Sequence, residues 1–279
     1  MQARSETTNE DGSPQSFLIF TLRIGPRKKC LADRSAISWT SATWNWATGC
    51  TKIDPQICDS CYMFTLYPRL KKMGLPTYRW KPNEVHVHDS MLEKPLEWRK
   101  PRRIFVNSMS DFFHEKIPFQ YLNRVLGIIR ATPQHTYQVP TKRSLRMLEY
   151  GQRIGGFPDN MWLGVSVGTK VMKFKIDHLR KVKAKTRFLS LEPLLESLVP
   201  LDLTGIHWVI VGGLSGPNWK DHGMDLNWAR EIRDLCIREH VPFFFKQSSA
   251  LKPGHGTLLD GRRWRQFPVD RHVRTHAAI

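Results

Sequence analysis

No stretch of this sequence approaches the roughly 18 consecutive apolar residues that a membrane span needs. The longest apolar run near the start is Phe17-Leu-Ile-Phe20. It has no basic segment before it and no small-residue cleavage pattern after it, so a secretory signal is not expected. Cysteine is sparse and odd in number, with five in 279 residues. That count, without a signal, argues against a disulfide framework and for a reducing, cytoplasmic setting. No G-x-G-x-x-G opens a strand–helix unit, which disfavours a dinucleotide-binding fold. Acidic residues are few: 25 Asp and Glu stand against 43 Lys and Arg, a formal net charge of +18. A protein this basic is biased toward polyanionic partners, nucleic acid or nucleotides first, although a solvated basic surface alone gives the same balance.

What is present suffices for a folded core. Hydrophobic residues make up 41% and aromatics 11% of the chain, which excludes a disordered polymer. At about 150 residues per domain the length allows one or two domains. Residues 1–34 are polar and then irregularly basic, and are expected to be a poorly ordered extension. From Ile37 onward, apolar runs alternate with amphipathic stretches. The runs are Arg103–Asn107, His135–Val139, Met161–Val167, Arg187–Leu191, His207–Val211 and Pro242–Lys246. Each is short and rich in β-branched or aromatic residues, so each is predicted to be a buried strand. Helical patterns lie at about 59–74, 118–131, 143–153, 170–183 and 226–239, with Pro118 opening one and Asp225 or Asn227 capping another. The expected fold is α/β: a partial (β/α)6-type, TIM-like barrel over 35–250, with parallel strands and outer helices. A basic C-terminal tail, 251–279, follows.

Chemistry in such a barrel gathers at the C-terminal strand ends. Those ends carry Asn107-Ser-Met-Ser-Asp111, Pro140-Thr-Lys-Arg143, Ser166, Glu192-Pro193, Gly212-Gly213 and Lys246-Gln247. Glu192, Lys246 and Asp111 are the candidate catalytic groups. Asn107, Ser108, Ser166, Lys142, Gly212 and Gly213 are the candidate cofactor or substrate contacts. Ordinary polar exit loops are the competing reading for any one of these positions.

Three cysteines, Cys50, Cys58 and Cys61, are spaced C-x7-C-x2-C. Such a set can hold a structural zinc with a fourth ligand such as His86 or His88. It can hold an iron–sulfur cluster with one iron left open, or it can be three inert packed thiols. Cys30 lies outside the set, and Cys236 falls on the apolar face of a predicted helix. Basic clusters occur at 94–103, 170–187 and 262–265, the first and last interleaved with Trp98 and Trp264. That pattern suits phosphate neutralisation with base stacking.

The segments Ile37-Ser-Trp-Thr-Ser-Ala-Thr-Trp-Asn45, Thr48-Gly-Cys50, Cys58-Asp-Ser-Cys61-Tyr62 and Trp98–His114 resemble the phage gp thirty-seven/gp sixty-eight family. So do Thr141-Lys-Arg143, Trp162–Val167, Glu192-Pro-Leu-Leu195, Trp208–Gly213 and Val241–Gln247, so the resemblance covers about 35–250. That family is largely uncharacterised and is similar to radical S-adenosylmethionine enzymes. The resemblance implies that Cys50, Cys58 and Cys61 hold a 4Fe–4S cluster, with S-adenosylmethionine on its open iron and an electron donor as partner. The substrate implied is unidentified, with a nucleotide or nucleic acid suggested by the charge. The first cysteine gap is seven residues where three is usual. Leu214 stands where the family usually carries Glu. The competing functional reading is a non-catalytic nucleic-acid-binding protein stabilised by zinc or a cluster.

Overall fold

The structure is a computed structural model that describes residues 35–220 and 222–268. These belong to one compact unit, Ala32–Ile279. The expected extension 1–34 and Cys30 lie outside the described residues.

In chain order the strands are β1 (Ala42–Trp44), β2 (Ala47–Thr48), β3 (His86–Val87), β4 (Arg103–Val106), β5 (Thr136–Thr141), β6 (Met161–Ser166), β7 (Thr186–Leu191), β8 (Trp208–Gly212) and β9 (Phe243–Gln247). The helices are α1 (Pro55–Cys58), α2 (Tyr62–Lys72), α3 (Asp89–Leu92), α4 (Phe119–Ala131), α5 (Ser144–Arg153), α6 (Phe174–Arg180) and α7 (Leu226–Arg238). Seven strands form one sheet in the order β1-β4-β5-β6-β7-β8-β9, every neighbouring pair parallel. β1 and β9 do not pair with each other, so the sheet curls into an open half-barrel with helices outside. This is the expected partial barrel, with β1 added to the six predicted strands. β2 and β3 make a small antiparallel pair beside it.

The helices form where the apolar spacing asks for them. In α4, Tyr121, Leu122, Val125, Leu126 and Ile129 are buried, one face of a 3.6-residue repeat. In α7, Ala229, Ile232, Leu235 and Cys236 do the same, which places Cys236 in the core as expected. The Asp225 carboxylate accepts the Asn227 N–H and caps that helix. The predicted helix 170–183 is shorter in the structure. Lys170–Met172 is a single 3₁₀ turn and α6 ends at Arg180. Residues 251–268 of the expected tail do not trail away, and 269–279 lie outside the described residues. The Trp264 carbonyl accepts from Phe245 N–H and the Phe243 carbonyl from Gln266 N–H, so this segment lines the open edge of β9.

The alternation of each parallel strand splits its side chains between two apolar cores. Ile104, Tyr137, Val139, Leu163, Val165, Leu189, Val209, Phe243 and Phe245 join the large outer core under the helices. Trp162, Phe188, Trp208, Ile210 and Phe244, with Trp39, fill a smaller inner core, flanked by Phe105 and Phe267. The concave face is therefore plugged by aromatics in its lower half.

Candidate functional site

Following the inward positions up each strand, the side chains turn from aromatic to small and polar. Trp162 gives way to Gly164 and Ser166, Phe188 to Ser190 and Glu192, and Ile210 to Gly212. Phe244 is followed by Lys246, and Phe105 by Asn107. Gly164 has no alternative, because a Cβ there would stand 2.4 Å from the Phe188 ring. Ser166 and Ser190 are direct neighbours across β6 and β7. The Glu192 carboxylate faces Gly212, where an added Cβ would stand 3.0 Å from Oε1. Lys246 Nζ lies 3.5 Å from Glu192 Oε1, and Ser190 Oγ donates to Glu192 Oε2 at 3.5 Å.

The structure thus brings Asn107, Ser166, Glu192, Gly212 and Lys246 to one concave rim. Among the described residues Asn107 Nδ2, buried there, has no hydrogen-bond partner, and Glu192 Oε1 has none beyond its ion pair with Lys246. Asn107 adopts a left-handed backbone (φ 55°), and its Oδ1 accepts from Ala47 N–H at 3.2 Å. A buried donor or acceptor without a partner costs about 1–3 kcal/mol. A bound molecule offering both an acceptor and a donor would satisfy the pair.

The cysteines enter this rim from the β1 side. Cys50 follows Gly49, whose φ of 84° and closeness to the Glu84 carbonyl admit no side chain: a Cβ would stand 1.9 Å from that oxygen. Cys58 ends α1, Cys61 N–H donates to the Cys58 carbonyl at 3.1 Å, and Cys61 caps α2. Cys58 is buried, while Cys50 and Cys61 are partly so. Burial first, then Asp111, pushes the Cys50 thiol up to about 11. All three act electrostatically on Lys142. Burial works against its ammonium, but Cys61, Cys58, Asp111 and Cys50 outweigh it and hold its pKa above the usual value.

Tyr62 joins the cysteines to the concave face. Its hydroxyl donates to the Ser108 carbonyl at 2.5 Å. Burial, then Cys61, then Glu192 among the opposing charges raise its pKa, with the Ser108 bond working the other way. The residue nonetheless remains 46% exposed, as expected for a group inside a concavity that solvent still reaches.

The seven residues between Cys50 and Cys58 form an anchored loop. Arg143 holds one end: Nη1 donates to Cys50 Sγ at 3.6 Å and Nη2 to Thr51 O and Oγ1 at 3.0 Å, while Nε binds Glu115 at 2.8–2.9 Å. Lys175, buried on α6, pairs with Asp54, and Thr169 Oγ1 donates to Gln56 Oε1 at 3.0 Å. Strand-end reasoning named Arg143 without giving it a role and did not reach Tyr62, since both act through contacts from distant parts of the chain.

Asp111, Ser108 and Gly213 sit differently from the other candidates. The Asp111 carboxylate accepts from Thr141 Oγ1 at 2.6 Å, Lys142 N–H and Phe113 N–H at 3.0 Å, and lies 3.5 Å from Arg143. Burial raises its pKa, but Arg143 and the Thr141 and Lys142 bonds hold it below the ordinary carboxylate value. It clamps the loop that presents Lys142 and Arg143. Ser108 Oγ donates to Asn45 Oδ1 at 3.1 Å. Gly213 packs against the Ser248–Ser249 backbone, where a Cβ would stand 2.4 Å from Ser249 N. Leu214 is buried as an apolar side chain.

The donor chemistry separates the metal readings. No three His, Cys, Asp or Glu side chains among the described residues come together to hold one metal ion, which is what zinc requires. The histidines considered for it are engaged elsewhere. The Thr48 hydroxyl donates to Thr77 O at 2.7 Å and so accepts a hydrogen bond from His88 Nε2–H at 2.8 Å. His86 stacks on Trp80 with ring centroids 3.9 Å apart. Cluster thiolates each bind a different iron and stand further apart than the ligands of a single ion. Cys50, Cys58 and Cys61 fall within one twelve-residue segment and offer thiol donors of the kind such a cluster takes.

The basic clusters picked out in the sequence are partly consumed. In 170–187, Lys175 is buried against Asp54, Arg180 binds Asp177 and Asp202, and Lys185 binds Asp159. Lys173 donates to the Pro200 carbonyl and Arg187 to the Val182 carbonyl. Lys94 pairs with Glu97 at 2.6 Å, and Arg262 lies over the Trp264 ring. Among the described residues no helix is long and apolar enough to cross a membrane.

Fold and site define an α/β half-barrel protein whose open rim combines a three-cysteine loop with a polar concavity. The chain belongs to the family described as protein of unknown function (DUF5131), whose model matches residues 34–268. No curated protein matches it in sequence. Among solved structures it is similar to spore photoproduct lyase complexed with dinucleoside spore photoproduct, at 17% identity and a TM-score of 0.43. That match covers 75% of this chain and 64% of the other. A mutant of the same lyase gives 15% identity and a TM-score of 0.44, over 74% of this chain and 64% of that one. The chain therefore spans less than two thirds of these structures.

Proposed function

We propose that this protein is an iron–sulfur enzyme of the radical S-adenosylmethionine type, consistent with the resemblance to the phage gp thirty-seven/gp sixty-eight family. In this reading Cys50, Cys58 and Cys61 hold a 4Fe–4S cluster and the substrate is a nucleotide or nucleic acid. What supports it is that three thiols are borne by one anchored segment, Cys50–Cys61, beside a concavity where the buried donor Asn107 Nδ2 has no hydrogen-bond partner. When bound and reduced by an electron donor, such a cluster cleaves S-adenosylmethionine to supply a 5′-deoxyadenosyl radical.

The chain's own residues then bind, orient and shield. Lys142 offsets the negative charge of three thiolates. Arg143 donates to Cys50 Sγ and fixes the loop that carries it. Asn107 Nδ2 offers a donor and Glu192 an acceptor to a ligand in the concavity, with Lys246 setting the Glu192 orientation. The aromatic plug below closes the lumen to water from the far end. Tyr62, between Cys61 and Glu192, lines the route by which substrate meets cofactor.

Anaerobic reconstitution with iron and sulfide tests this reading. The expected product is a brown protein with charge-transfer absorption, lost in Cys58→Ala, that releases 5′-deoxyadenosine when given dithionite and S-adenosylmethionine. Stoichiometric zinc without iron under those conditions would overturn it. Iron loading without 5′-deoxyadenosine release would leave a structural cluster and remove the enzymatic part.

A further inference from the structure

We propose that the acid-free surface from Arg69 to Lys81 is a docking track for the phosphodiester backbone of a single-stranded nucleic acid leading to the cysteine rim. Between Tyr62 and Asn83 the sequence carries Arg69, Lys71, Lys72, Arg79 and Lys81 and no acid. All five are exposed. Among the described residues none of them is in an ion pair, in contrast to the paired cations of 170–187. Glu84, the next acid along, is turned onto the Lys81 backbone N–H at 3.3 Å.

The fold gathers these charges on one side. The Tyr67 and Tyr78 rings meet at 5.1 Å and Lys71 Nζ donates to the Trp80 carbonyl at 3.3 Å, so the end of α2 and residues 79–81 lie together. The Arg79 guanidinium is held 4.2 Å from the Trp80 ring centroid, and His86 stacks on the same indole. A pinned guanidinium loses less freedom on meeting a phosphate than a free one. The Lys81 end of the track touches the cysteine segment, where Cys50 N–H donates to the Pro82 carbonyl at 2.9 Å, while Cys61 stands at the N-terminus of the helix whose last turn carries Arg69, Lys71 and Lys72. A strand on this surface therefore sets a nucleotide at the rim where Lys142, Tyr62 and the polar concavity meet. The proposal rests on the functional reading only for what happens there; the binding itself needs no cluster.

Fluorescence anisotropy of the full chain with labelled single-stranded DNA and RNA oligonucleotides, between 50 and 200 mM salt, tests it. Each phosphate neutralised adds roughly 0.7 to the slope of log affinity against log salt for a single strand. The triple variant Arg69→Glu, Lys72→Glu, Arg79→Glu should bind at least about 100-fold more weakly at low salt, with the slope lowered by about two. The triple change to Gln should fall between it and the parent. Lys181→Glu, Lys183→Glu, equally exposed on the former basic cluster, should change affinity by less than about threefold. Wild-type affinity in the triple variant would overturn the track, as would equal losses in the control. Preference for phosphatidylglycerol vesicles over oligonucleotide would do the same. Iron content and visible absorption of the variants, read in parallel, separate a failed track from a failed cluster.

Discussion

Arg143 shows how one side chain sets this site. Its guanidinium is 2% exposed and touches Asp111, Glu115, Thr51 and Cys50 at once. Burial alone would lower its pKa, but Asp111, then Cys50 and Glu115, drive it up, so it is always a cation. Removing one partner of a buried pair costs about 3–5 kcal/mol, because the other charge is stranded. Asp111 keeps three hydrogen bonds without it, so Arg143→Met should cost about 3 kcal/mol in urea unfolding at pH 7. Arg143→Lys should lose less, because it keeps the charge but cannot make the forked contacts. Equal losses in both would show that fork geometry, not charge, carries the effect. None of this could be read from the sequence, where Arg143 is one more polar residue after a strand. Its partners Cys50 and Thr51 lie more than 90 positions earlier. The three cysteines stood out in the sequence because their spacing is itself the signal.

Among the elements, the strands with the longest apolar runs were the easiest to read. Met161–Ser166 and Trp208–Gly212 fall within a residue of expectation, since both faces of a parallel strand are covered and no polar alternation dilutes the run. β1 is different: three residues, Ala42–Trp44, with Thr43 and then Asn45 turned toward the polar side, leave no run to detect. In α6, Lys175, read as part of a solvated basic face, is drawn inward by Asp54 on the cysteine loop. The inward Gly164 was equally silent in sequence. Gly164 sits where β6 passes under the Phe188 ring, at the boundary between aromatic plug and polar rim. Gly164→Ala should destabilise by about 1–3 kcal/mol, because a Cβ 2.4 Å from an aromatic carbon forces that ring to move. Thermal or chemical unfolding measures this. An unchanged midpoint would mean that the plug is loose enough to absorb a methyl group.

The whole molecule couples its excess of positive charge to its buried histidines. His88 and His114 are both held down to about 4, in each case first by burial. For His88 the added positive charges are His86 and Arg79; for His114 the foremost is Arg143. His135 and His207 are shifted down as well, again first by burial. An unfolded histidine titrates near 6.5, so the unfolded chain binds more protons than the folded one between about pH 6.5 and 4. The stabilisation is therefore complete above pH 6.5 and lost as pH falls toward 4. From pH 7 to 5, His88 and His114 should each cost about 2 kcal/mol, a large fraction of an ordinary stability of about 5–15 kcal/mol. The depressed carboxylates Asp111 and Glu115 add their losses only near and below their unfolded values of about 4, so the window from pH 7 to 5 belongs to the histidines. The formal charge of +18 supplies a second acid penalty, self-repulsion, as further protons bind. Salt distinguishes the two, since it screens repulsion between exposed charges but not the desolvation of a buried imidazolium. Urea midpoints at pH 7 and 5 should therefore differ strongly and recover only in part with added salt. His88→Gln should flatten the pH dependence by about the share of one histidine. Full recovery in salt would place the acid sensitivity in the basic surface instead.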